Sequence, residues 1–550
     1  MKKFKPVVKL LARSVMKSSA DESFLLIEYS SLDLGMTKLI IPTNLLDKPR
    51  EFFSLLISKG FPANVDKNVR KQIIDELCEH CGNTFILTQK PGFIGDSYVS
   101  PCGKIWGSDD KYGPIIQPEY QNSLPLVSKR GSLQHWQNNL AIYATYSSRL
   151  MLGLCSAFSA FLLKDTAIES GGFHVFGMSS VGKSTVLLFS ASVYGSPEYV
   201  NTMKFTDKAG QELAQAHNDA LLCLDELKLA DSNPKKAAEK TQGVTYVLAS
   251  GRGTRYSKNY EKQKGSDEWR VIFLSAGERS LKQHAADGGI SRLEGEEARA
   301  IDIPADTGSG HGIFETIPLE LDSSSELVQN IAELCNQYHG SAQYTFLKKY
   351  VSQRKANPEK MKQYLNQRIE FFLKKHNVDK NNGVEIRTAK RFALTYAAGA
   401  LAAKYKLLPF DKKDVMNGIS RCYQDARVYL NEGAVKSAPK VVRIPDGLLH
   451  RLSTVDVVDL DKDKSLSSDE IDELAIFKKK IDGVSVLALK SEVLNEIVPD
   501  RQQRKLLLEH LAVQGMLLRD AMGKNTRAVR KGVRRRYCII TDKLSCNHSF

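Results

Sequence analysis

One stretch of the chain constrains the fold more than any other: residues 177–184, Gly-Met-Ser-Ser-Val-Gly-Lys-Ser. It fits the phosphate-binding loop pattern, in which two glycines are separated by four residues and followed by lysine and a hydroxyl residue. An apolar strand is predicted before it (173–176) and a helix after it (185–192), which is the context that this loop requires. A chance glycine-rich turn is the alternative, and it explains the complete pattern poorly. The sequence therefore predicts an α/β fold with a parallel sheet.

Each position of this loop has a chemical reason. Gly177 and Gly182 permit backbone angles that turn successive N–H groups inward at a helix N-terminus, which makes an anion cradle. Lys183 brings a point charge to the β- and γ-phosphates, and the Ser184 hydroxyl is placed to bind Mg²⁺. ATP and Mg²⁺ are the expected cofactors. The candidate nucleotide-binding residues of the loop are Gly177, Ser179, Ser180, Val181, Gly182, Lys183, Ser184 and Thr185.

A second element supports the first. Residues 221–226, Leu-Leu-Cys-Leu-Asp-Glu, predict a buried parallel strand with carboxylates at its C-terminal end. We expect Asp225 to complete the Mg²⁺ shell with Ser184, and Glu226 to orient and deprotonate the attacking water. Strands that end in two acids are common, but this one lies 42 positions after Lys183, where its partner is expected. Together the two elements predict an enzyme that hydrolyses nucleoside triphosphates.

Further catalytic candidates lie along the later strands and helices. Residues 269–275 predict a strand of the kind that, in additional-strand ATPases, carries a γ-phosphate sensor; Ser275 is the candidate, although strand-end serines are more often turn formers. Arg299 begins the next strand and is placed to reach a neighbouring subunit's γ-phosphate, with Arg292 as its competitor and a plain surface arginine as the alternative. Arg387 and Arg391 open an alanine-rich helix, and either is a candidate for contacting the nucleotide from a helical lid.

Residues 250–268 interleave basic side chains with tyrosines. Positive charge for phosphates and aromatic faces for bases is the chemistry of a single-strand contact. The alternative is a solvated hairpin, which most charge runs are. The position directly before the predicted sensor strand, where ring-shaped helicases carry a pore hairpin, favours nucleic acid. The candidate DNA contacts are Arg252, Arg255, Tyr256, Lys258, Lys262 and Lys264.

The overall charge agrees with a polyanionic partner. The chain has 78 Lys and Arg against 63 Asp and Glu, a net charge of +15, which favours nucleic acid or an acidic membrane surface. Residues 500–550 hold 12 of the basic residues and only 4 acids, in the order helix, strand, basic loop, strand that is typical of a winged helix. We expect duplex phosphate binding there, with a solubilising tail as the alternative. The candidate contacts are Arg527, Arg530, Lys531, Arg534 and Arg535.

Composition also excludes several classes. With 42% hydrophobic and 26% charged residues the chain is globular, and it is not disordered, collagen-like or a coiled-coil rod. The longest apolar run, 150–163, is too short to span a bilayer and predicts a buried core helix. Because no amphipathic membrane helix accompanies the basic surplus, we expect DNA and no membrane as the partner. Lysines and arginines interrupt any signal peptide near the N-terminus, and nine cysteines, an odd number, fit a reducing cytoplasm.

Two stretches imitate metal sites. Residues 78–81, Cys-Glu-His-Cys, resemble half a zinc site, but no second pair stands at ligand spacing, so a plain helix face is favoured. Residues 459–470 place oxygen-bearing side chains at calcium-loop positions, yet Lys464 stands where the sharp turn needs glycine. Whether this loop binds Ca²⁺ stays open at this point.

Changes in pattern along the chain predict five segments. They are a small mixed α/β domain for a collar or DNA loading (1–128), the ATPase core (129–315), a helical lid (316–432), a linker (433–470) and a basic DNA-binding domain (471–550).

Six stretches, in this order and spread over about 20–430, resemble an uncharacterised helicase-like domain family of phages, plasmids and integrated mobile elements, which belongs to the AAA+ ATPases. They are 131–136, 169–184, 250–255, 273–278, 299–306 and 387–393. Members on mobile elements, such as the replication helicase of staphylococcal cassette chromosomes, resemble minichromosome-maintenance helicases and carry a C-terminal winged helix. Two departures are visible: Ser184 stands where members commonly have threonine, and Arg252 replaces a lysine, so both positions keep their chemistry.

The resemblance implies a hexameric, ATP-dependent 3′-to-5′ DNA helicase that supports replication of its element. It implies nucleotide binding for Gly182, Lys183 and Ser184. It assigns the magnesium role to Asp225 and the water role to Glu226, and it makes Ser275 a sensor. It also favours Arg299 over Arg292 as the arginine finger. The rival class is a nucleotide-dependent switch or origin-binding regulator without processive unwinding. Glu226 disfavours that class, because a pure switch does not need an acid that activates water.

Overall fold

The computed structural model describes residues 6–15, 23–79, 82–108, 111–117, 120, 124–202, 207–225, 234–253, 268–431, 457–498, 504, 507–508, 511–512, 515–520 and 523–540. The chain divides into two compact units, Met1–Tyr429 and Leu430–Phe550. In the first unit the strands are β1 (Val8–Val15), β2 (Phe24–Ser31), β3 (Gly35–Pro42), β4 (Thr84–Thr88), β5 (Gly92–Ile94), β6 (Ser97–Val99), β7 (Ile105–Trp106), β8 (Pro114–Ile116), β9 (Gly171–Phe176), β10 (Asn201–Thr202), β11 (Ala220–Asp225), β12 (Val271–Gly277) and β13 (Ala300–Pro304).

The helices of the first unit increase in number towards its C-terminal end. They are α1 (Pro49–Ser58), α2 (Lys67–Cys78), α3 (Leu133–Asn139), α4 (Ser148–Ser159), α5 (Lys183–Ala191), α6 (Asp207–Ala216), α7 (Pro234–Ser250), α8 (Leu281–Asp287), α9 (Glu294–Glu297), α10 (Ser324–Gln337), α11 (Ser341–Ala356), α12 (Pro358–Lys375), α13 (Gly383–Lys404) and α14 (Lys412–Asn431). The prediction of a mixed α/β fold is confirmed, and α10–α14 fill the segment that was predicted to be helical.

The N-terminal sheet has the strand order β3-β2-β1-β4-β8. β1, β2 and β3 are antiparallel neighbours, whereas β4 joins β1 and β8 in parallel. Side chains alternate along β2, as strand geometry requires: Leu25 and Ile27 pack with α1 and α2, and Phe24 and Leu26 pack in a separate cluster. The strand therefore buries both of its faces.

The central sheet is entirely parallel, with the order β10-β11-β12-β9-β13. β9 and β12 are buried along their whole length, and β11 is buried up to Asp225. Both faces of a parallel sheet are covered by helices, and this explains why these strands are continuous apolar runs in the sequence. β12 lies between β9 and β11, so the ends of all three strands meet at one edge.

The long apolar run predicted as a core helix forms α4 and a following 3-10 turn, Ala160–Asp165. Every residue of α4 is buried. It packs against α5 and α13 in the largest hydrophobic cluster of the first unit. The prediction of a buried core helix is therefore confirmed. Among the described residues, no helix combines the length and the apolarity that crossing a bilayer would need.

Residues 92–106 belong to the central core. Phe93 and Tyr98 pack in the same hydrophobic cluster as α4 and β9. The buried carboxylate of Asp219 accepts the backbone N–H of Phe93 at 2.9 Å and two guanidinium N–H groups of Arg270 at 2.6 and 2.7 Å. The central core thus begins before the predicted boundary at residue 128, because the contacts that join β5–β7 to it are made with residues far along the chain.

The second unit contains one described sheet, with the order β14-β15-β16-β18-β17. Its elements are β14 (Val458–Asp459), α15 (Ser468–Glu473), β15 (Ile476–Ile481), β16 (Val484–Leu489), α16 (Ser491–Ile497), β17 (Thr526–Arg527) and β18 (Arg536–Ile540). β14 falls within the predicted linker and α15 begins in its last residues, so this unit begins earlier than the sequence predicts. A two-residue strand has no periodicity that a sequence reading detects.

A fully buried arginine of the first unit predicts a large stability effect. Arg149 on α4 is fully buried and pairs with Asp425 on α14 at 2.7 Å, while Arg421 pairs with the same carboxylate at 3.2 Å from a half-exposed position. We expect Arg149→Met to lower the free energy of unfolding by about 3–5 kcal/mol, because it leaves a carboxylate without its buried partner. Arg421→Met is the matched control and should cost less than about 1 kcal/mol. Urea unfolding measures both, and equal losses would contradict the prediction.

Candidate nucleotide-binding site

The loop between β9 and α5 has the backbone that an anion cradle needs. Gly182, the residue before α5, has a φ of 96°, and Ser180 also has a positive φ, of 64°. A Cβ atom at Gly182 would lie 3.0 Å from Ile313 and 3.4 Å from Val328. Glycine is therefore required there both by its backbone angle and by its close neighbours. The first N–H groups of α5 have no partner within the helix and point towards the loop.

The structure brings Ser184 and Asp225 together. Ser184 is the second residue of α5, and Asp225 is the last residue of β11. The Ser184 hydroxyl donates to Oδ1 of Asp225 at 3.3 Å. A hydroxyl and a carboxylate beside a phosphate cradle are oxygen ligands of the kind that Mg²⁺ takes together with nucleotide phosphates. The residues present therefore fit a magnesium–nucleotide complex.

Lys183 lies across the mouth of the loop. Its ammonium donates to the backbone carbonyl of Met178 at 2.5 Å, so the side chain folds back over the cradle. Partial burial lowers the pKa of Lys183, and the carboxylates of Glu278 and Asp225 act in the opposite direction. The ammonium is thus held among acceptors at the place where phosphate charge is expected.

A cleft of about 620 Å³ opens above the loop, within the size range of small-ligand sites. Its wall includes six of the predicted residues: Ser179, Ser180, Gly182, Lys183, Ser184 and Thr185, together with Asp225. Gly177 and Val181 shape the loop from behind: a Cβ at Gly177 would meet Ala305 at 3.2 Å, and the Val181 carbonyl accepts the Ile313 N–H at 3.0 Å.

Several wall residues were not predicted from the sequence. Glu278 and Arg279 follow β12, His284 lies on α8, and Ser325 and Val328 lie on α10. Glu278 was within reach of sequence reasoning, because it follows a predicted strand that ends at the same edge as Asp225. The α10 residues had no such signal, since they reach the cleft only through packing of the helical segment.

The predicted sensor Ser275 lies behind the cleft wall. It is 2% exposed, and its hydroxyl shares a hydrogen bond of 2.9 Å with Nδ1 of His174 on β9. Nε2 of His174 is 2.9 Å from the carbonyl oxygen of Arg279. The side chain of Ser275 therefore joins two neighbouring strands, and the cleft wall begins one residue later, at Ala276. Its role as a sensor stays a prediction with no contact to the cleft.

The two finger candidates differ in accessibility. The Arg292 side chain is 6% exposed, pairs with Asp302 at 3.2 Å and donates to the carbonyls of Glu296 and Ala300. Arg299 is 30% exposed and 3.6 Å from the exposed carboxylate of Glu169. It precedes β13, so it stands at the edge of the sheet opposite to the cleft of its own chain. Of the two, Arg299 is the more accessible to solvent.

The lid arginines also stand away from the cleft. Arg391 is 3% exposed and donates to the carbonyls of Glu169 and Ser170, just before β9. Burial lowers the pKa of Arg391 to about 10. Arg387, one turn earlier on α13, is exposed and donates to the carbonyl of Gly383 on its own helix. Neither residue lines the nucleotide cleft, so the structure does not bring the predicted Arg387 contact to this site.

Part of the predicted machinery lies outside the described ranges. This applies to Glu226 and to Arg255, Tyr256, Lys258, Lys262 and Lys264 of the basic segment. At the base of that segment, Arg252 and Glu268 form an antiparallel bridge and an ion pair of 3.5 Å. The two ends of the segment therefore meet directly before β12. His80 and Cys81, the second half of the zinc-like motif, also fall outside.

In the second unit most of the predicted DNA contacts have acidic partners. Arg527 pairs with Asp482 at 2.5 Å, Arg534 with Asp472 at 3.3 Å, and Arg535 pairs with Asp520. Arg530 donates to the Leu466 carbonyl, and Lys531 is exposed beside it. The positive charge available to a duplex at this surface is therefore smaller than the sequence surplus indicates.

The calcium-like loop uses its oxygens internally. Asp459 accepts the N–H of Asp461, Asp463 accepts from Ser465, and Ser467 and Glu470 form the capping box of α15. Within the ranges that the structure describes, no three acidic, histidine or cysteine side chains gather as a metal site.

Comparison with known proteins agrees with this geometry at the level of fold. The family described as Domain of unknown function (DUF927) matches residues 8–267, slightly less than half of the chain. A solved structure titled "SCCmec type IV Cch - active helicase" is similar with a TM-score of 0.54 and 16% identity, over 98% of this chain and 94% of that one. At this identity the likeness shows that the two chains share a fold. No relative is detectable among curated proteins by sequence.

The buried histidines beside the site predict a pH dependence of stability. Burial lowers the pKa of His174 to about 4, and it has the same effect on His217. Between pH 6.5 and 4 the unfolded chain binds protons that the folded chain does not, so stability present above about pH 6.5 is lost as the pH falls to about 4. Each histidine accounts for about 3 kcal/mol of this loss.

We expect His174→Gln to reduce the loss of unfolding free energy across this pH window by about 3 kcal/mol, because one buried imidazole is gone. Urea unfolding at several pH values measures the slope of the unfolding free energy against pH. A destabilisation that is the same at every pH does not change this slope. His135→Gln, at an exposed position, should leave the slope as in the wild type. An unchanged slope in His174→Gln would contradict the prediction.

Proposed function

We propose that this chain is an ATP-dependent DNA helicase or translocase that works as a ring of identical subunits. The observation that carries the proposal is the contact of Ser184 with Asp225 beside a glycine-fixed phosphate cradle, at one edge of a parallel sheet. The strand order, with β12 between β9 and β11, is the arrangement expected for an AAA+ core. The likeness in fold to a helicase supports the same class.

In this proposal the residues of the cleft have separate roles in nucleotide hydrolysis. Bound ATP and Mg²⁺ supply the phosphoanhydride bond and its charge neutralisation. The α5 N-terminus and Lys183 would hold the phosphates, while Ser184 and Asp225 would hold the Mg²⁺, directly or through its bound waters. Glu226, which follows Asp225 directly, positions a water and accepts its proton.

The position of Arg299 explains why the subunits would have to assemble for catalysis. It stands at the edge opposite to its own cleft, at 30% exposure and with one weak ion pair, so it serves only the cleft of a neighbouring subunit. A guanidinium at that boundary stabilises the charge that develops on the phosphates in the transition state. The family resemblance implies a ring of six subunits. In such a ring each active site is completed by Arg299 of the neighbouring subunit.

DNA contacts are proposed for the basic segment and for the second unit. The ends of the segment meet at Arg252 and Glu268 directly before β12. The single-strand contacts are proposed for the basic and aromatic residues that lie between these ends in the sequence. In the second unit, a winged-helix arrangement with Arg530 and Lys531 as phosphate contacts remains part of the proposal. Replication of a phage or mobile element, and 3′-to-5′ polarity, come from the resemblance.

Glu226→Gln separates a motor from a switch. A motor should still bind ATP and assemble, but its ATPase rate should fall by about 10²–10⁴-fold, because the general base is lost. Lys183→Ala should lose ATP binding as well. The matched control is Glu212→Gln at an exposed position on α6. ATPase rates with and without forked DNA, and strand displacement, are the measurements. A wild-type rate in Glu226→Gln, or an ATPase indifferent to DNA that displaces no strand, would overturn the proposal.

Subunit mixing tests the position of the finger. Arg299→Ala alone should lower the DNA-stimulated ATPase by about 10³-fold while ATP binding persists. Mixing Arg299→Ala with Lys183→Ala subunits should restore part of the activity, because some interfaces then pair an intact Arg299 with an intact Lys183. Arg292→Ala should instead lower the unfolding temperature, since Asp302 loses its buried partner. Mixtures that remain inactive would contradict a role in trans.

A further inference from the structure

A second open groove lies on the first unit, between β7 with its preceding turn and helix α11. It holds about 550 Å³. Its wall combines lysines with two aromatic rings: Lys104, Trp106, Gly107, Tyr344, Lys348 and Lys355. None of these residues lines the nucleotide cleft. We call this the basic groove.

The basic groove concentrates positive charge. Lys104 and Lys348 are exposed on its wall, and Lys129 is exposed beside Tyr344. Within the described ranges no carboxylate forms an ion pair with any of these three, while Lys355 donates to the carbonyl of Gly107 at 3.1 Å. The acids Asp109 and Asp110 follow in the sequence and belong to the part that is not described.

Aromatic faces lie among these lysines. The rings of Trp106 and Tyr344 are 5.8 Å apart in an edge-to-face arrangement. The ammonium of Lys104 is 3.9 Å from the centre of the Tyr344 ring, and that of Lys129 is 5.2 Å from it. The hydrogen bond and charge of Lys104, with Lys348 and Lys129, lower the pKa of Tyr344. The potential at the groove is therefore positive where the rings are accessible.

We propose that the basic groove binds a short single strand of nucleic acid. Phosphates would draw the lysine ammoniums off the rings, and the uncovered faces of Trp106 and Tyr344 would then stack with bases. An acidic peptide would use the charge but not the rings, and a duplex keeps its bases out of reach. The groove would give the protein a strand contact separate from the basic segment before β12, and this contact does not depend on ATP.

The chain provides its own reporter for this groove. It has three tryptophans: Trp136 and Trp269 are 0% and 2% exposed, whereas Trp106 is half-buried on the groove wall. A base that stacks on Trp106 should quench tryptophan fluorescence, and a strand bound elsewhere should not. The probes are oligothymidylate and oligouridylate of about 12 nucleotides, within the site sizes of single-strand binding folds. They are added to the full chain without nucleotide, so that the outcome is independent of the ATPase.

Two variants and a control decide the outcome. Lys104→Ala/Lys348→Ala should weaken the fluorescence-detected affinity by about tenfold or more and reduce the slope of log affinity against log salt by about 1.4, at 0.7 per lost phosphate contact. Trp106→Phe should abolish the signal while fluorescence anisotropy of a labelled strand still reports binding. Lys412→Ala/Lys413→Ala removes the same charge at exposed positions on α14 and should change neither value.

Several results would overturn the proposal. These are the absence of quenching with either strand, equal effects of the groove and control variants, and equal quenching by oligoglutamate or by a blunt duplex. Stronger quenching by the DNA strand or by the RNA strand would assign the sugar type that the groove prefers, and either supports single-strand binding.

Discussion

The contact between Ser184 and Asp225 depends on a single constraint, the common edge at which parallel strands end. β12 separates β9 from β11, so the two strand ends lie about 10 Å apart, twice the spacing of neighbouring strands. The loop after β9 must therefore bow across the end of β12 before α5 begins, and the left-handed turn at Gly182 makes that path available. The cradle, the candidate metal ligands Ser184 and Asp225, and the cleft all depend on how these three strands are ordered.

The parts of this arrangement that sequence reasoning predicted are those with a local signature. Strands buried on both faces appear as unbroken apolar runs, so the strands now seen as β9, β11 and β12 were recognisable with small errors at their ends. The phosphate loop was recognisable because its glycines, Lys183 and Ser184 have a fixed spacing. The buried helix α4 was recognisable because its apolar run is too long for a strand and too short for a membrane span.

The parts that were missed depend on partners distant in the chain. The sequence shows Ser275 near the end of a strand and Arg292 in a loop between two helices, but it does not show what either side chain contacts. Ser275 shares a hydrogen bond with His174 on β9, and Arg292 pairs with Asp302 on β13, and a single sequence does not reveal these pairs. The tail shows the same limit: Arg534 counts as a free positive charge until folding brings Asp472 to it. A sequence shows which residues are charged or polar, whereas the tertiary structure decides which hydrogen-bond or ion-pair partners they have.

The attachment of β5–β7 to the central core has a consequence for dividing this protein into pieces. Phe93 and Tyr98 fill space among the helices that support the nucleotide cleft, and the Phe93 N–H is a partner of the buried Asp219 carboxylate. A fragment that starts at residue 129 would leave an unfilled hollow beneath the central sheet, and the Asp219 carboxylate would lose one of its hydrogen-bond donors. The smallest piece with a native cleft therefore has to start before Pro91, and limited proteolysis that removes β1–β4 should spare this segment.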